Sequence, residues 1–284
     1  MTGTPRASKV PGSLARGAIL ASALSFMLAV PLFSVSVSPM GVYIDSRSRS
    51  GTMTLYNPGT RPEEIQIEFG FGYPQSDPNG NVTVPIAPEA PPGEPSAVGW
   101  LTAFPRRLVL EPGQRQVVRI VARPPAGLPE GEYWARALVR SRGGQAPIES
   151  RTGNVGVQID VETVVVVAVN YRNGSVRTGL EARAFEASLQ GDTVVARIDL
   201  ARTGNAAFLG RILVEALDGR GAVVGSTEEV LAVYQTISRR LVLPVQSGSA
   251  PARVRFTLDT DRDDLPPGGP LPAERIIREV ELRR

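Results

Sequence analysis

The 284-residue chain contains neither cysteine nor histidine, which excludes thiol nucleophiles, Ser-His-Asp relays, Cys/His zinc sites and disulfides. Its formal charge of +3 comes from 31 basic against 28 acidic residues, and Arg6, Lys9 and Arg16 supply the whole excess; without these three the balance is 28 to 28. The absence of clustered basic residues with interleaved aromatics then excludes nucleic acid as a partner.

The first 36 residues carry those three cations and no carboxylate, followed by an apolar run from Gly17 to Phe33 and small residues at Ser34-Val35-Ser36. That order of basic, apolar and small-residue segments predicts a signal peptide over residues 1–36, cleaved near Ser36, and export to the periplasm. From residue 37 on, the chain is long enough for two domains of ordinary size. Short β-branched runs alternate with Gly, Pro, Asn and Asp, which predicts an all-β protein of two tandem immunoglobulin-like sandwiches, residues 37–170 and 171–284.

In the first domain the expected strands are Val42 to Asp45, Gly51 to Tyr56, Glu64 to Phe71, Arg107 to Leu110, Gln116 to Arg123 and Gly131 to Arg140. Turns are expected at Asn57-Pro58-Gly59, Asp77-Pro78-Asn79-Gly80 and Glu111-Pro112-Gly113. Five prolines between Pro85 and Pro95 exclude a central strand there, because proline lacks the ladder N–H. The longest β-prone run lies between Val155 and Tyr171. Val155, Val157, Ile159 and Val161 alternate with polar or small residues, and beyond Thr163 both faces become apolar, the pattern of a strand passing from a half-exposed edge into a core. Tyr171-Arg172-Asn173-Gly174 reads as the turn between domains. The second domain repeats the texture with strands at Glu181 to Ser188, Val194 to Arg202, Gly210 to Leu217, Glu228 to Tyr234, Ser238 to Pro244, Arg253 to Asp259 and Ile276 to Arg283. Asp218-Gly219-Arg220-Gly221 is read as a hairpin connection.

Met53-Thr54-Leu55-Tyr56-Asn57-Pro58, Pro105-Arg106, Leu110-Glu111-Pro112-Gly113-Gln114, Val117-Val118-Arg119-Ile120 and Leu128-Pro129-Glu130-Gly131-Glu132-Tyr133 together resemble the first domain of periplasmic pilus chaperones of the PapD-like superfamily, as a divergent member. Val157-Gln158-Ile159-Asp160-Val161 looks like that family's subunit-capping strand. The resemblance implies a chaperone that completes the sandwich of a pilin-like or other β-rich secreted subunit by strand addition, using Val155, Val157, Ile159 and Val161. It also implies an outer-membrane usher as a second partner, and an exposed edge of this kind invites self-association. Family members anchor the subunit's terminal carboxylate with an arginine and a lysine. The corresponding positions here fall near Gly41 and Val166, which leaves Arg47 and Arg49 as the candidate anchors.

Alternation alone equally allows Val155 to Val161 to face the protein's own second sheet. The alternative function is a structural or adhesive envelope protein whose immunoglobulin-like domains bind peptidoglycan or another surface component. Asp259, Asp261, Asp263 and Asp264 cluster, but position 264 is Asp where a calcium loop needs Gly, so a solvated turn is expected and no metal or other cofactor. Trp100, Phe104, Tyr133 and Trp134 are expected in the core. Glu63-Glu64 and Glu228-Glu229 are adjacent in sequence and point to opposite strand faces, which does not suit acid-base catalysis. No enzyme activity is expected.

Overall fold

The computed structural model describes residues 35–283 except 144–147, 153–154 and 160, and the side chains of residues 144–160 lie outside that description. The described chain is built of strands and one short 3-10 turn at Val98–Trp100. The strands of the first half are β1 (Ser36–Ser38), β2 (Gly41–Asp45), β3 (Ser50–Tyr56), β4 (Glu63–Gly70), β5 (Gln75–Ser76), β6 (Val82–Thr83), β7 (Leu101–Phe104), β8 (Arg107–Leu110), β9 (Arg115–Ala122), β10 (Gly131–Arg142), β11 (Ile148–Thr152), β12 (Val155–Ile159) and β13 (Glu162–Asn173). Those of the second half are β14 (Thr178–Gln190), β15 (Thr193–Gly204), β16 (Phe208–Asp218), β17 (Val223–Val233), β18 (Thr236–Pro244), β19 (Pro251–Asp259) and β20 (Ile276–Glu281).

The first sandwich packs the sheet β1-β3-β9-β7 on the sheet β2-β13-β10-β4-β8. Period-two alternation sorts each strand into an inner and an outer face. Met53 and Leu55 of β3, Ile65 and Ile67 of β4, Val118 and Ile120 of β9, and Val167 and Val169 of β13 fill the space between the sheets. The sheets come so close that a Cβ on Gly51 would lie 2.4 Å from the Val42 side chain, so only glycine fits there. Two of the expected proline-glycine turns are tied together by Asn57, which is fully buried. Its amide nitrogen donates to the carbonyls of Arg61 and Leu110, both at 2.8 Å, and its oxygen accepts the Gly59 N–H. A buried amide satisfied on both ends is what keeps such a position from being destabilising.

The second sandwich pairs β14-β15-β18 with β17-β16-β19-β20. Val194, Ile198, Ile212, Val214, Phe256 and Leu258 lie at its centre. Asp218 closes the β16–β17 hairpin by accepting the N–H groups of Arg220 and Ala222, the turn chemistry its sequence predicts. After β20 the chain crosses to the other sheet, where Arg283 exchanges backbone hydrogen bonds with Ala187 and Leu189 on β14.

Some elements lie outside the sequence expectations. β1 is one: Val35 (3% exposed) and Val37 belong to the first core, and Ser36 to Ser38 pair with Tyr56 to Thr54. The run from Val155 to Tyr171 is two strands rather than one. β12 pairs with β11 in a two-stranded ribbon, and β13 enters the five-stranded sheet. β13 also continues through Asn173, so Tyr171 is buried in the first core rather than forming the turn between domains. Phe104 is exposed where a core position was expected, because Leu101 and Ala103 take the inward parity of β7. Trp134 is buried as expected, but against the second sandwich and not in the core of the first.

Candidate partner-binding site

β13 is hydrogen-bonded along its whole length to β10 on one side. On its other side β2 pairs with it in parallel only from Ala168 to Arg172, so among the described residues Glu162 to Val167 form an open edge. Ala168 donates its N–H toward β2, to the Met40 carbonyl at 3.0 Å. Backbone groups alternate sides along a strand, so Glu162, Val164 and Val166 direct their N–H and C=O groups to the open side. Val164 is exposed and Val166 half-buried. The expected donor strand lies just upstream. Its backbone over Val155–Ile159 forms β12, the side chains of Val155, Val157 and Ile159 lie outside the described residues, and Val161 is exposed.

Beside this edge runs a cleft of about 300 Å³ between the two sandwiches. Met40, Val84, Ile86, Val166 and Leu265 give it apolar walls, and Arg136 and Arg262 stand at its margin. Both arginines are engaged within the protein. Arg136 donates to the Gly72 carbonyl at 2.8 Å and lies over the Tyr234 ring, while Arg262 pairs with Asp264 and donates to the Gly210 carbonyl.

The cleft is held in shape by a buried carboxylate. Glu132, at the start of β10, accepts from Trp134 Nε1 and Asn170 Nδ2 at 3.0 Å, from the Ala207 backbone N–H at 3.1 Å, and from Arg172 Nε at 2.7 Å. Arg172 reaches on to the carbonyls of Gly268 and Gly269 and lies over the Tyr43 ring. Burial is the first cause that pushes the Tyr43 hydroxyl far above the usual tyrosine range. Phe71, Tyr73, Trp134 and Tyr234 pack around the same point, with Trp134 and Tyr234 edge to face at 4.8 Å. Such pairs add roughly 0.5–1.5 kcal/mol beyond area burial. In the sequence, Glu130-Gly131-Glu132 stands only among the residues that carry the family resemblance. Its one usable signal is that Glu132 is the single carboxylate of the β10 sequence GEYWARALVRSR.

A second clamp comes from the segment between β4 and β7. The Ser76 hydroxyl accepts the Ser238 N–H at 2.8 Å, and Val82 packs on the second core. Asp77 organises the intervening turn by accepting from Asn79 and Asn81, and Gly80 (φ +82°) lies so close to β18 that a Cβ would be 2.7 Å from the Arg240 nitrogen.

The remaining candidates fall elsewhere. Arg47 and Arg49 occupy the exposed turn after β2, where Asp45 accepts the N–H groups of Arg47 and Ser48. That turn follows the end of β2 paired with Arg172, at the opposite end of β2 from the open edge. In the acidic cluster, Asp259 and Asp261 bind Arg211 at 2.9 and 3.0 Å and Asp264 binds Arg262, so three of its four carboxylates already face guanidinium groups.

No protein-family profile matches the chain, and no curated protein is similar to it in sequence. Solved structures do match over most of its length. The YadV chaperone is 14% identical, with 87% of this chain and 99% of that one covered and a TM-score of 0.43. A chain from the Salmonella enterica SafA pilin–SafB chaperone complex is 12% identical, covering 88% and 97%, with a TM-score of 0.42. The E. coli chaperone DraB is 16% identical, covering 88% and 97%, with a TM-score of 0.41.

Proposed function

We propose that this protein is a periplasmic chaperone of pilus or surface-fibre assembly that holds a pilin-like or other β-rich subunit by β-strand addition. The observation that carries this reading is the open edge of β13, with apolar Val164 and Val166 on it, beside an apolar cleft and directly downstream of β12. An unpaired strand edge is a template for another chain, and main-chain pairing supplies affinity while alternate side chains supply selection. This reading assigns Val155, Val157, Ile159 and Val161, just upstream of β13, to the subunit as the side chains of the added strand. An outer-membrane usher as second partner, and self-association through the edge when no subunit is bound, belong to the same reading.

The test is capture from periplasmic extract of the host with the tagged, leader-free protein, comparing wild type with Ile159→Asp and Val164→Asp. A small β-rich protein captured by wild type and lost from both folded variants supports strand addition. Equal capture by all three, or recovery of cell-wall sugar without a protein, favours the envelope-adhesive alternative. Arg47→Ala and Arg49→Ala in the same assay report on an anchoring role: loss of the captured subunit supports it, unchanged capture removes it.

A further inference from the structure

The two sandwiches each turn one four-stranded sheet outward, and the two outer faces differ in charge. On β17-β16-β19-β20 three arginines are matched: Arg211 meets Asp259, and Arg253 and Arg255 both meet Glu279 at 2.8 Å. On β1-β3-β9-β7 no strand contains an aspartate or glutamate. Arg115 and Arg119 stand on that face, with Arg49 and Arg123 at one end of it, and among the described residues none of the four lies within ion-pair distance of a carboxylate. Between the two face arginines lies Val117, 53% exposed, and on β7 opposite Arg119 lies Phe104, 51% exposed. Thr52, Thr54 and Thr102 lie around them, Arg119 donates to the Ser50 hydroxyl at 3.0 Å, and Arg115 lies over the Tyr56 ring.

We infer that the outer face of β1-β3-β9-β7 is a second docking surface, for a protein that presents apolar side chains flanked by carboxylates. Charge complementarity selects the partner's sign, since the chain beyond its first 36 residues is balanced overall and yet leaves this face uniformly basic. An apolar centre with an arginine rim is the anatomy of a protein interface, and aromatic and arginine side chains carry most of the energy in such contacts. At about 4.8 Å between strands and about 3.3 Å per residue, the four strands offer roughly 350 Å². Two partners would then bury about 700 Å², which is the low end of weak, transient association. The surface is not the β13 edge: it belongs to the other sheet of the first sandwich, so both can be engaged at once.

The test uses the leader-free protein and a fluorescent 12-residue peptide alternating aspartate with leucine and phenylalanine, titrated at low and physiological salt. Wild type is expected to bind, with affinity falling as salt rises. Arg115→Ala/Arg119→Ala should weaken binding by tenfold or more and Phe104→Ser by several-fold, while Arg253→Ala/Arg255→Ala on the matched face changes nothing. Equal binding by all variants, or no binding by wild type, overturns the inference. So does tighter binding of polyglutamate, polygalacturonate or phosphatidylglycerol vesicles than of the peptide, because the apolar centre would then have no role. Subunit capture through the β13 edge should survive in the Arg115→Ala/Arg119→Ala protein, which separates failure of this surface from failure of the strand-addition reading.

Discussion

Replacing Glu132 by alanine should cost about 3–5 kcal/mol and divide one unfolding transition into two. The carboxylate is fully buried and accepts four hydrogen bonds, one from the backbone N–H of Ala207 in the second sandwich and one from Arg172, whose side chain is only 11% exposed. Truncation leaves a nearly buried guanidinium with its carboxylate gone and leaves the Trp134, Asn170 and Ala207 donors unsatisfied. Removing one member of a buried pair is worth roughly 3–5 kcal/mol, mostly as the penalty on the group left behind. Equilibrium urea unfolding followed by tryptophan fluorescence reads the loss directly, because Trp134 itself donates to Glu132. Adding Arg172→Leu should recover part of the loss, since the stranded cation is then gone and the two residues are coupled rather than additive. A loss below 1 kcal/mol, or a double variant whose loss equals the sum of the singles, would refute the view that this carboxylate joins the sandwiches.

Burial raises the Glu63 carboxyl above its ordinary value, opposed in part by the Ser141 hydroxyl. The native state therefore keeps a proton that the unfolded chain has released: stability is full below the ordinary glutamate value of 4.5 and declines as pH rises through the raised value. Glu63→Gln should raise the melting temperature at pH 7 and flatten the pH profile in that window; an unchanged profile counts against the assignment. Gly80→Ala should cost about 1–3 kcal/mol, since it adds both a strained backbone and a clash with Arg240, whereas Gly93→Ala, with similar φ and open space, should cost less; thermal melts of the pair isolate the docking contact. A chain that starts at Val37 loses buried Val35, worth roughly 1.5–3 kcal/mol. Mass spectrometry of the protein purified from its host should accordingly find its first residue at or before Val35, and a start at Val37 with undiminished stability would contradict this.

The strands legible in the sequence were those whose own alternation states their orientation, such as Glu64 to Phe71 and Gln116 to Arg123. Every strand expected in the second half is present, within a few residues at its ends. β1 was hidden because Ser34 to Ser38 carry two signals at once, small residues that suit a peptidase and alternate valines that suit a core. β7 is the four residues LTAF, with one β-branched side chain and only Pro105, rather than a proline-glycine turn, directly after it, so neither periodicity nor punctuation marks it. The joint between the sandwiches was the least legible part. Glu132, Arg172 and Tyr234 are far apart in sequence, and no local pattern announces that they meet. Phe104 shows the limit of composition: an aromatic residue reads as core until the register places it on the outward parity.

The segment that leaves β4 and reaches the second sandwich also sets an order of events for the folding chain. Ser76 and Gly80 find their neighbours Ser238 and Arg240 only after some 160 further residues have been made. Until then Phe71 and Trp134 lack the cover of Ala207, Leu209 and Tyr234, and Val82 that of the second core, so the first half cannot complete its burial alone. Contacts of such sequence separation slow folding and lengthen exposure to aggregation. The protein therefore passes its most vulnerable interval with the first sandwich formed and its apolar flank still open, and the late strands β17 and β18 end that interval.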